Sequence, residues 1–441
     1  MNGNERASLF ISELNWDSLP NEVKRRTLVC LLDNLGVTLA GALTPVSRIA
    51  AGYAAENWCG SAATILGHNL KASAPGAAFA NASAANALDL DDDAIYTRGH
   101  PGAQLFPAAL AVAEKAGANG KELLEALVVG YEVSIRAGRC WHDLHEVYQS
   151  CGSWGSLGCA AAAAHLLKLD LTQISNALGI AEYHSPNAPM MRDIYNPTMV
   201  KHAVSWGAMN GVTSALLAQK GYTGMPSLLG MDKYIDWVSD LGDLYWMADW
   251  VFHKEWASCA WGHAAGVAAL KLLDEHNIEP AQIKAVRVKT FEEAVSLYQD
   301  YPSTTEEAQF SVKWPLACLI IDRELGPDQI LEKRFSDPQV RALFDKIEMI
   351  VDPEVNKLYE EMKEMDLRMH SAVEITIQDG RIFDSGLVER EADRYSDEDL
   401  EKKFRKLAAF VTEPGTIDKL VDLVRNFARV KNMHELIELI R

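Results

Sequence analysis

Asn86-Ala-Leu-Asp-Leu-Asp-Asp-Asp-Ala-Ile-Tyr-Thr-Arg-Gly-His-Pro-Gly-Ala-Gln-Leu-Phe-Pro107 is the stretch around which the rest of the chain is arranged. Asp89, Asp91, Asp92 and Asp93 lie within five residues, and His100 follows seven positions after the last, in a His-Pro-Gly turn flanked by small, apolar helical sequence. A chain does not bury that much charge for packing alone. Three readings compete. The bland one is a solvated acidic loop followed by an ordinary turn. A calcium loop fits the one-three-five spacing of Asp89, Asp91 and Asp93, but Ala94 stands where glycine is needed and His100 where glutamate is needed. The third is acid/base machinery, since crowded carboxylates cannot all ionise cheaply and a nearby histidine titrates around neutral pH.

Working outward, 441 residues suffice for two or three domains, and 48% hydrophobic residues suffice for their cores. No apolar run approaches the roughly 18 to 20 residues that a membrane helix needs. The polar start Met-Asn-Gly-Asn-Glu-Arg resembles neither a secretory signal nor a basic transit peptide, so a cytoplasmic location is expected. The seven cysteines are scattered, without a Cys-x-x-Cys pair, which argues against a disulfide framework, a zinc ribbon and an iron–sulfur cluster. A net charge of −19 without a basic cluster speaks against nucleic acid as a partner. An anionic substrate would therefore need a locally positive pocket made from single Lys, Arg and His residues.

Helical spacing dominates residues 5 to 41, the alanine-rich 72 to 90, then 107 to 115, 120 to 139, 159 to 169, 171 to 181, 201 to 219 and 263 to 273. Pro107 is expected in the opening turn of its helix. Pro186, Pro189 and Pro197 make 183 to 200 a long loop, and 222 to 262 reads as irregular and aromatic. Near residue 280 the pattern changes. Ile283 to Thr290 and His370 to Ile377 alternate as half-buried strands, and Asp379-Gly380 forms a hairpin turn into 381 to 388. Helical sequence at 305 to 325 and 339 to 347 lies between them, and helix resumes after Ser396 to the C-terminal 433 to 440. The fold class is mostly α, with an α+β insert in an otherwise helical protein.

Outside the opening stretch, Lys201 sits at a helix start, where the dipole already favours an anion, or is an ordinary surface lysine. His263 closes an aromatic, small-residue run from Lys254 and is either functional or a satisfied core histidine. Arg192 beside Asp193 is a carboxylate clamp or a surface ion pair. His142 and His145 lack the glutamate of a metalloprotease helix. Nucleotide-binding glycine motifs and the Gly-x-Ser-x-Gly elbow are both missing. Neither metal nor cofactor is called for, so the expected chemistry runs on side chains.

Leu31-Leu32-Asp33-Asn34-Leu35-Gly36, Leu88-Asp89-Leu90-Asp91-Asp92, His100-Pro101-Gly102, Gly130-Tyr131-Glu132-Val133, Met199-Val200-Lys201, Gly221-Tyr222-Thr223-Gly224, Ser258-Cys259 with His263, and Gln309-Phe310-Ser311-Val312 follow one another in an order that resembles the MmgE/PrpD family. That family includes 2-methylcitrate dehydratases, cis-aconitate decarboxylases and iminodisuccinate epimerases. The resemblance implies a homodimer of two-domain subunits: a large all-helical domain from 1–267 and 396–441, and a smaller α/β lid from 268–395. It places the active site on Asp89, His100, Lys201 and His263. Candidate substrate-binding residues are Asp92, Asp93, Thr97, Gln149 and Arg192. Asn86 stands where the family usually has histidine, Gln149 where Phe-His-Pro-Thr has its imidazole, and Ala257 where proline precedes Ser-Cys.

The function expected first is a cofactor-free lyase that dehydrates a 2-methylcitrate-like hydroxy acid, a small di- or tricarboxylate, with His100 exchanging the proton. Asp89 would orient His100, while Lys201 and His263 would hold carboxylate. Decarboxylation of the cis-aconitate type and epimerisation of the iminodisuccinate type share that proton step and stand as alternatives. More distant ones are a terpene cyclase-like acid catalyst, suggested by Asp89-Leu90-Asp91-Asp92, and a non-catalytic polycarboxylate-binding protein.

Overall fold

Alanine and glycine let the central helices approach closely, and the computed structural model, which describes residues 1–362, 369–390 and 396–440, shows the result. The helical part contains α1 (Gly3–Glu13), α2 (Asn21–Gly41), α3 (Pro45–Asn57), α4 (Ala74–Ala85), α5 (Gly102–Ala116), α6 (Gly120–Leu144), α7 (Cys151–Leu166), α8 (Leu171–Tyr183), α9 (Met190–Tyr195) and α10 (Val204–Gln219). The small-residue helices α4, α5, α7 and α10 pack against one another, with α6 against α7, and their interior is rich in buried Ala, Leu and Val. Such helices gain little from side-chain bulk and much from close backbone approach.

A short hairpin, β1 (Ala63–Ile65) with β2 (Leu70–Ala72), and a long-range antiparallel pair, β3 (Asp93–Ala94) with β4 (Val251–Phe252), interrupt the helices. Beyond them, α11 (His263–His276) and α12 (Lys313–Asp322) pack together beside a five-stranded sheet of β5 (Ile283–Thr290), β6 (Ile347–Val351), β7 (Met369–Ile377), β8 (Ile382–Asp384) and β9 (Val388–Arg390). Strand order is β6-β5-β7-β8, with β9 also on β7; β5 and β6 are parallel and the other pairs antiparallel. The alternation read in β5 and β7 matches their burial, because successive side chains face opposite sides of the sheet. Further helices are α13 (Pro353–Met362), α14 (Asp397–Ala408), which returns to pack on α2, and α15 (Pro414–Arg425). The chain is thus mostly helical with a small mixed sheet. No single helix among the described residues is long and apolar enough to cross a membrane.

Several boundaries differ from the sequence reading. Pro107 lies inside α5, not in its first turn, because the helix begins five residues earlier at Gly102. The proline stretch holds α9. The helix expected over 305 to 325 breaks at Phe310, and the one expected over 339 to 347 runs from Pro338 to Phe344, with β6 starting at Ile347; its pattern Ile-Glu-Met-Ile-Val is too short to read as a strand without its partner. At the C-terminus only His434–Ile437 is α-helical. The expected boundary at 395 falls in 391–395, outside the described residues.

Candidate active site

Leu88 and Leu90 are buried in the apolar cluster that surrounds the sheet, and Asp89 lies between them. Asp89 takes a left-handed backbone (φ +49°), as do Arg98 (+48°), His202 (+50°) and Ala203 (+54°). Each such non-glycine residue costs on the order of 1–3 kcal/mol, and their concentration around one cavity is the pattern of a functional site. All four aspartates are buried, so the solvated-loop reading fails.

Two short strands bring a residue from far along the chain. Asp93 pairs with Phe252 and Ala94 with Val251 in antiparallel register, so the chain after Phe252 runs back past the aspartates. Lys254 Nζ there lies 2.8 Å from Asp89 Oδ1, both side chains essentially inaccessible. Helix α6 supports both sides: Tyr131 donates its hydroxyl to Asp92 Oδ2, and the carboxylate of Glu132 accepts the backbone N–H groups of Trp246 (3.0 Å) and Met247 (2.7 Å), just ahead of β4. Asp92 Oδ1 accepts Gly102 N–H at 2.8 Å and so caps α5.

His100 Nδ1 donates to the carbonyl of Asp92 at 2.8 Å, which leaves Nε2 facing Asp89 Oδ1 at 3.6 Å. Burial and Lys254 oppose charge on this ring, but Asp91, Asp93 and Asp89 prevail and hold its pKa above the ordinary histidine value. Burial likewise opposes charge on Asp89, yet Lys254, Lys201, His100 and His202 keep its carboxyl well below the usual range. Lys254 is desolvated, but Asp89 and Asp91 hold its pKa up. A carboxylate, an ammonium and an imidazole inclined to be protonated therefore coexist in a buried site.

These groups open on a cavity of about 290 Å³, lined by Asp89, Asp93, His100, His202 and Lys254 on one side, by Arg98, Tyr148, Met190, Met191 and Ile194, and from the sheet side by Cys259, Trp261, Glu293, Tyr359 and Met369. Burial pushes the Cys259 thiol up to about 12, so it sits there as a neutral group. Asp89, His100 and His202 each offer a donor atom within 4.8 Å of the others, a grouping of the kind that can hold a metal ion. Lys254 already supplies a fixed positive charge at Asp89, and the grouping reads as a charge cluster with that ammonium as its cation.

Of the residues singled out in the sequence, Asp89, His100 and Asp93 line the cavity. Lys201 is buried just outside the lining: its ammonium donates to the carbonyl of Asn86 (2.6 Å) and to Gln309 Oε1, tying the end of α4 to the sheet side. His263 is buried against Trp256, with Nε2 3.3 Å from the Ser258 carbonyl, and it too lies outside the lining. Thr97 hydrogen-bonds the carbonyls of Ala94 and Gly99, and Gln149 Oε1 accepts Ala188 N–H at 2.9 Å; both shape loops. Arg192 is exposed and outside the lining, and its neighbour Asp193 accepts the backbone N–H of His202 at 2.6 Å. Lys254, His202 and Arg98 are the basic residues of the lining that sequence reasoning did not single out as candidates. Lys254 was visible only as the start of an aromatic run, and His202 only as the neighbour of Lys201.

Asn86, where the resemblance expects histidine, donates to both oxygens of Asp91 and accepts from His202 Nδ1 at 3.0 Å, so an imidazole still stands at this corner. With this geometry in place, comparison with known proteins gives two matches to family models. The MmgE/PrpD N-terminal domain matches residues 5–243, and the MmgE/PrpD C-terminal domain matches 256–427. A cis-aconitate decarboxylase of Homo sapiens is 26% identical over 99% of this chain and 94% of its own length. One of Aspergillus terreus is 25% identical over 98% and 94%, and a cis-aconitate decarboxylase-like protein of Aspergillus oryzae is 31% identical over 51% and 48%. Order of motifs, a buried aspartate–histidine–lysine site and end-to-end family matches agree: this chain belongs to the MmgE/PrpD family.

Proposed function

We propose that this chain is a lyase acting on a small di- or tricarboxylate, and that it removes carbon dioxide from a cis-aconitate-like acid. The observation that carries the reading is His100, held inclined to protonation beside a cavity whose cationic wall includes Lys254 and Arg98. The near full-length match to cis-aconitate decarboxylases favours decarboxylation over the dehydration that the sequence put first. Arg98 and Lys254 bind carboxylate. As the carbon–carbon bond to the leaving carboxylate breaks, its electron pair passes into the remaining unsaturated acid, where the cationic wall stabilises it. His100 Nε2–H then delivers the proton to carbon, and Asp89 holds the ring in place. Binding two carboxylates between fixed cations also supplies orientation.

A second reading, dehydration of a hydroxy acid, is favoured by one feature: a second imidazole, His202, faces the same cavity. The test is to incubate the protein with cis-aconitate and with 2-methylcitrate and to follow CO2 release and alkene signals by NMR. The expected result is CO2 release from cis-aconitate, reduced about 10²–10⁴-fold in His100→Ala. Absence of both CO2 release and water loss over a polycarboxylate panel, or unchanged turnover in His100→Ala, would refute the lyase reading.

A further inference from the structure

Two imidazoles face the cavity, and hydrogen bonds fix both tautomers. His100 Nδ1 meets a backbone carbonyl, which can only accept. His202 Nδ1 meets the Asn86 side-chain oxygen at 3.0 Å, and that amide cannot be turned round, because its nitrogen donates to both carboxylate oxygens of Asp91 at 3.0 and 3.1 Å. His202 Nδ1 therefore carries hydrogen, and Nε2 is left with its lone pair and with no hydrogen bond among the described residues. The ring lies in the cavity lining, its centroid 4.8 Å from that of His100. Its left-handed backbone is held by the bond from its N–H to Asp193.

We infer that His202 is a second catalytic residue of this site, a general base whose Nε2 takes a proton from a substrate carbon next to a carboxylate, with His100 as the acid. The inference rests on the polycarboxylate reading of the cavity and reaches past decarboxylation, which needs a proton donor alone. In the full step, the proton goes to His202 Nε2 and the C–H electron pair becomes the new carbon–carbon double bond. The carbon–oxygen bond breaks with its pair on oxygen, and His100 Nε2–H protonates that oxygen, so one water leaves. His202 is then charged and His100 neutral, and one proton passed through solvent from the first to the second restores the site.

The electrostatics agree. His100, Asp89, Lys201 and Lys254 face His202, and Asp193 takes its backbone N–H. Burial first, then the charge on His100 and the two lysines, keep His202 well below the usual histidine range despite Asp89. Two like groups pushed apart in this way are the mark of an acid/base pair.

The test has two arms. Nitrogen-15 NMR of the histidine rings, with His202 assigned by its loss in His202→Gln, should show a neutral Nδ1–H ring between pH 6 and 8; an Nε2–H tautomer or a charged ring overturns the inference. In deuterated water with 2-methylcitrate and citrate as probes, the wild type should exchange a carbon-bound hydrogen for deuterium. His202→Gln should slow that exchange at least about 100-fold, and by a larger factor than it slows CO2 release from cis-aconitate. If His202→Gln does not fold, Asn86→Leu, which removes the acceptor at Nδ1, should mix the tautomers and slow exchange. Wild-type exchange rates in these variants, or CO2 release by the wild type with no exchange, overturn the inference and leave the lyase reading standing. Neither exchange nor CO2 release in the wild type removes both.

Discussion

Lys254 and Asp89 show how much one residue pair decides. Both are buried, and removing either partner strands a charge away from water, which costs about 3–5 kcal/mol. Lys254→Met is therefore expected to lower both the melting temperature and kcat/KM, the latter by about 10²-fold or more; calorimetry and steady-state kinetics check it. Asp89 is held low, so its pairing contributes stability at neutral pH that is lost as pH falls below the usual carboxylate range. Asp92 has the opposite sign. Burial raises it to about 7 against the hydrogen bond from Tyr131, so the folded state keeps a proton that the unfolded chain releases above about 4. Its contribution is present below pH 4 and lost as pH rises toward 7. Asp92→Asn should shrink the stability difference between pH 5 and pH 8, read from melts at both.

At the scale of elements, the start of α5 is where the acidic stretch becomes a site. Gly102 N–H bonds Asp92 Oδ1, and a Cβ added at Gly102 would overlap Asp92 Oδ2, with Tyr131 Oη and Asn34 Nδ2 barely farther away. Gly102→Ala must push Asp92 aside, and with it the carbonyl that fixes the His100 tautomer. Overpacking of this kind costs about 1–3 kcal/mol. The expected outcome is a modest loss of melting temperature, unchanged helical circular dichroism and a loss of activity out of proportion to the loss of stability. The existence of the long helices and of β5 and β7 was legible because period 3.6 and period 2 are written in the residues themselves. The β3–β4 pairing was not, since two-residue strands have no period, and Lys254 went unnoticed with it.

For the whole molecule, the apolar wall of the cavity comes from the cluster around the sheet, which supplies Met190 and Ile194 with Tyr148, Met191 and Cys259 packed on it, and from a small cluster that supplies Met369 and Tyr359. On the outer surface Tyr53, Trp58, Phe79 and Trp206 form a chain of edge-to-face rings, with Tyr53 and Trp206 each 51% exposed. Ile49, one turn before Tyr53 on α3, is 61% exposed. Aromatic residues left in water as a connected group mark an association surface. We propose this face as the homodimer contact that the family resemblance implies. Because α10, which carries Trp206, begins one residue after Ala203, the contact would brace the strained turn at His202. Wild type is expected to elute as a dimer in size-exclusion chromatography with light scattering, and Trp206→Arg as a monomer with reduced activity. A monomeric wild type would remove the proposal.

The sequence by itself determined the helical character, strands of the sheet and the family, and singled out Asp89 and His100, because periodicity, spacing and residue chemistry are local and need no partner. Only the tertiary structure decided which cations serve that pair. Lys201 turned out to brace Asn86 and Gln309, and Lys254 and His202 reached the cavity, through a two-residue strand pairing and a left-handed turn. The reason is physical: whether a buried charge meets substrate or a neighbouring carbonyl depends on a few ångströms set by contacts between residues a hundred or more positions apart, and no local pattern records those contacts.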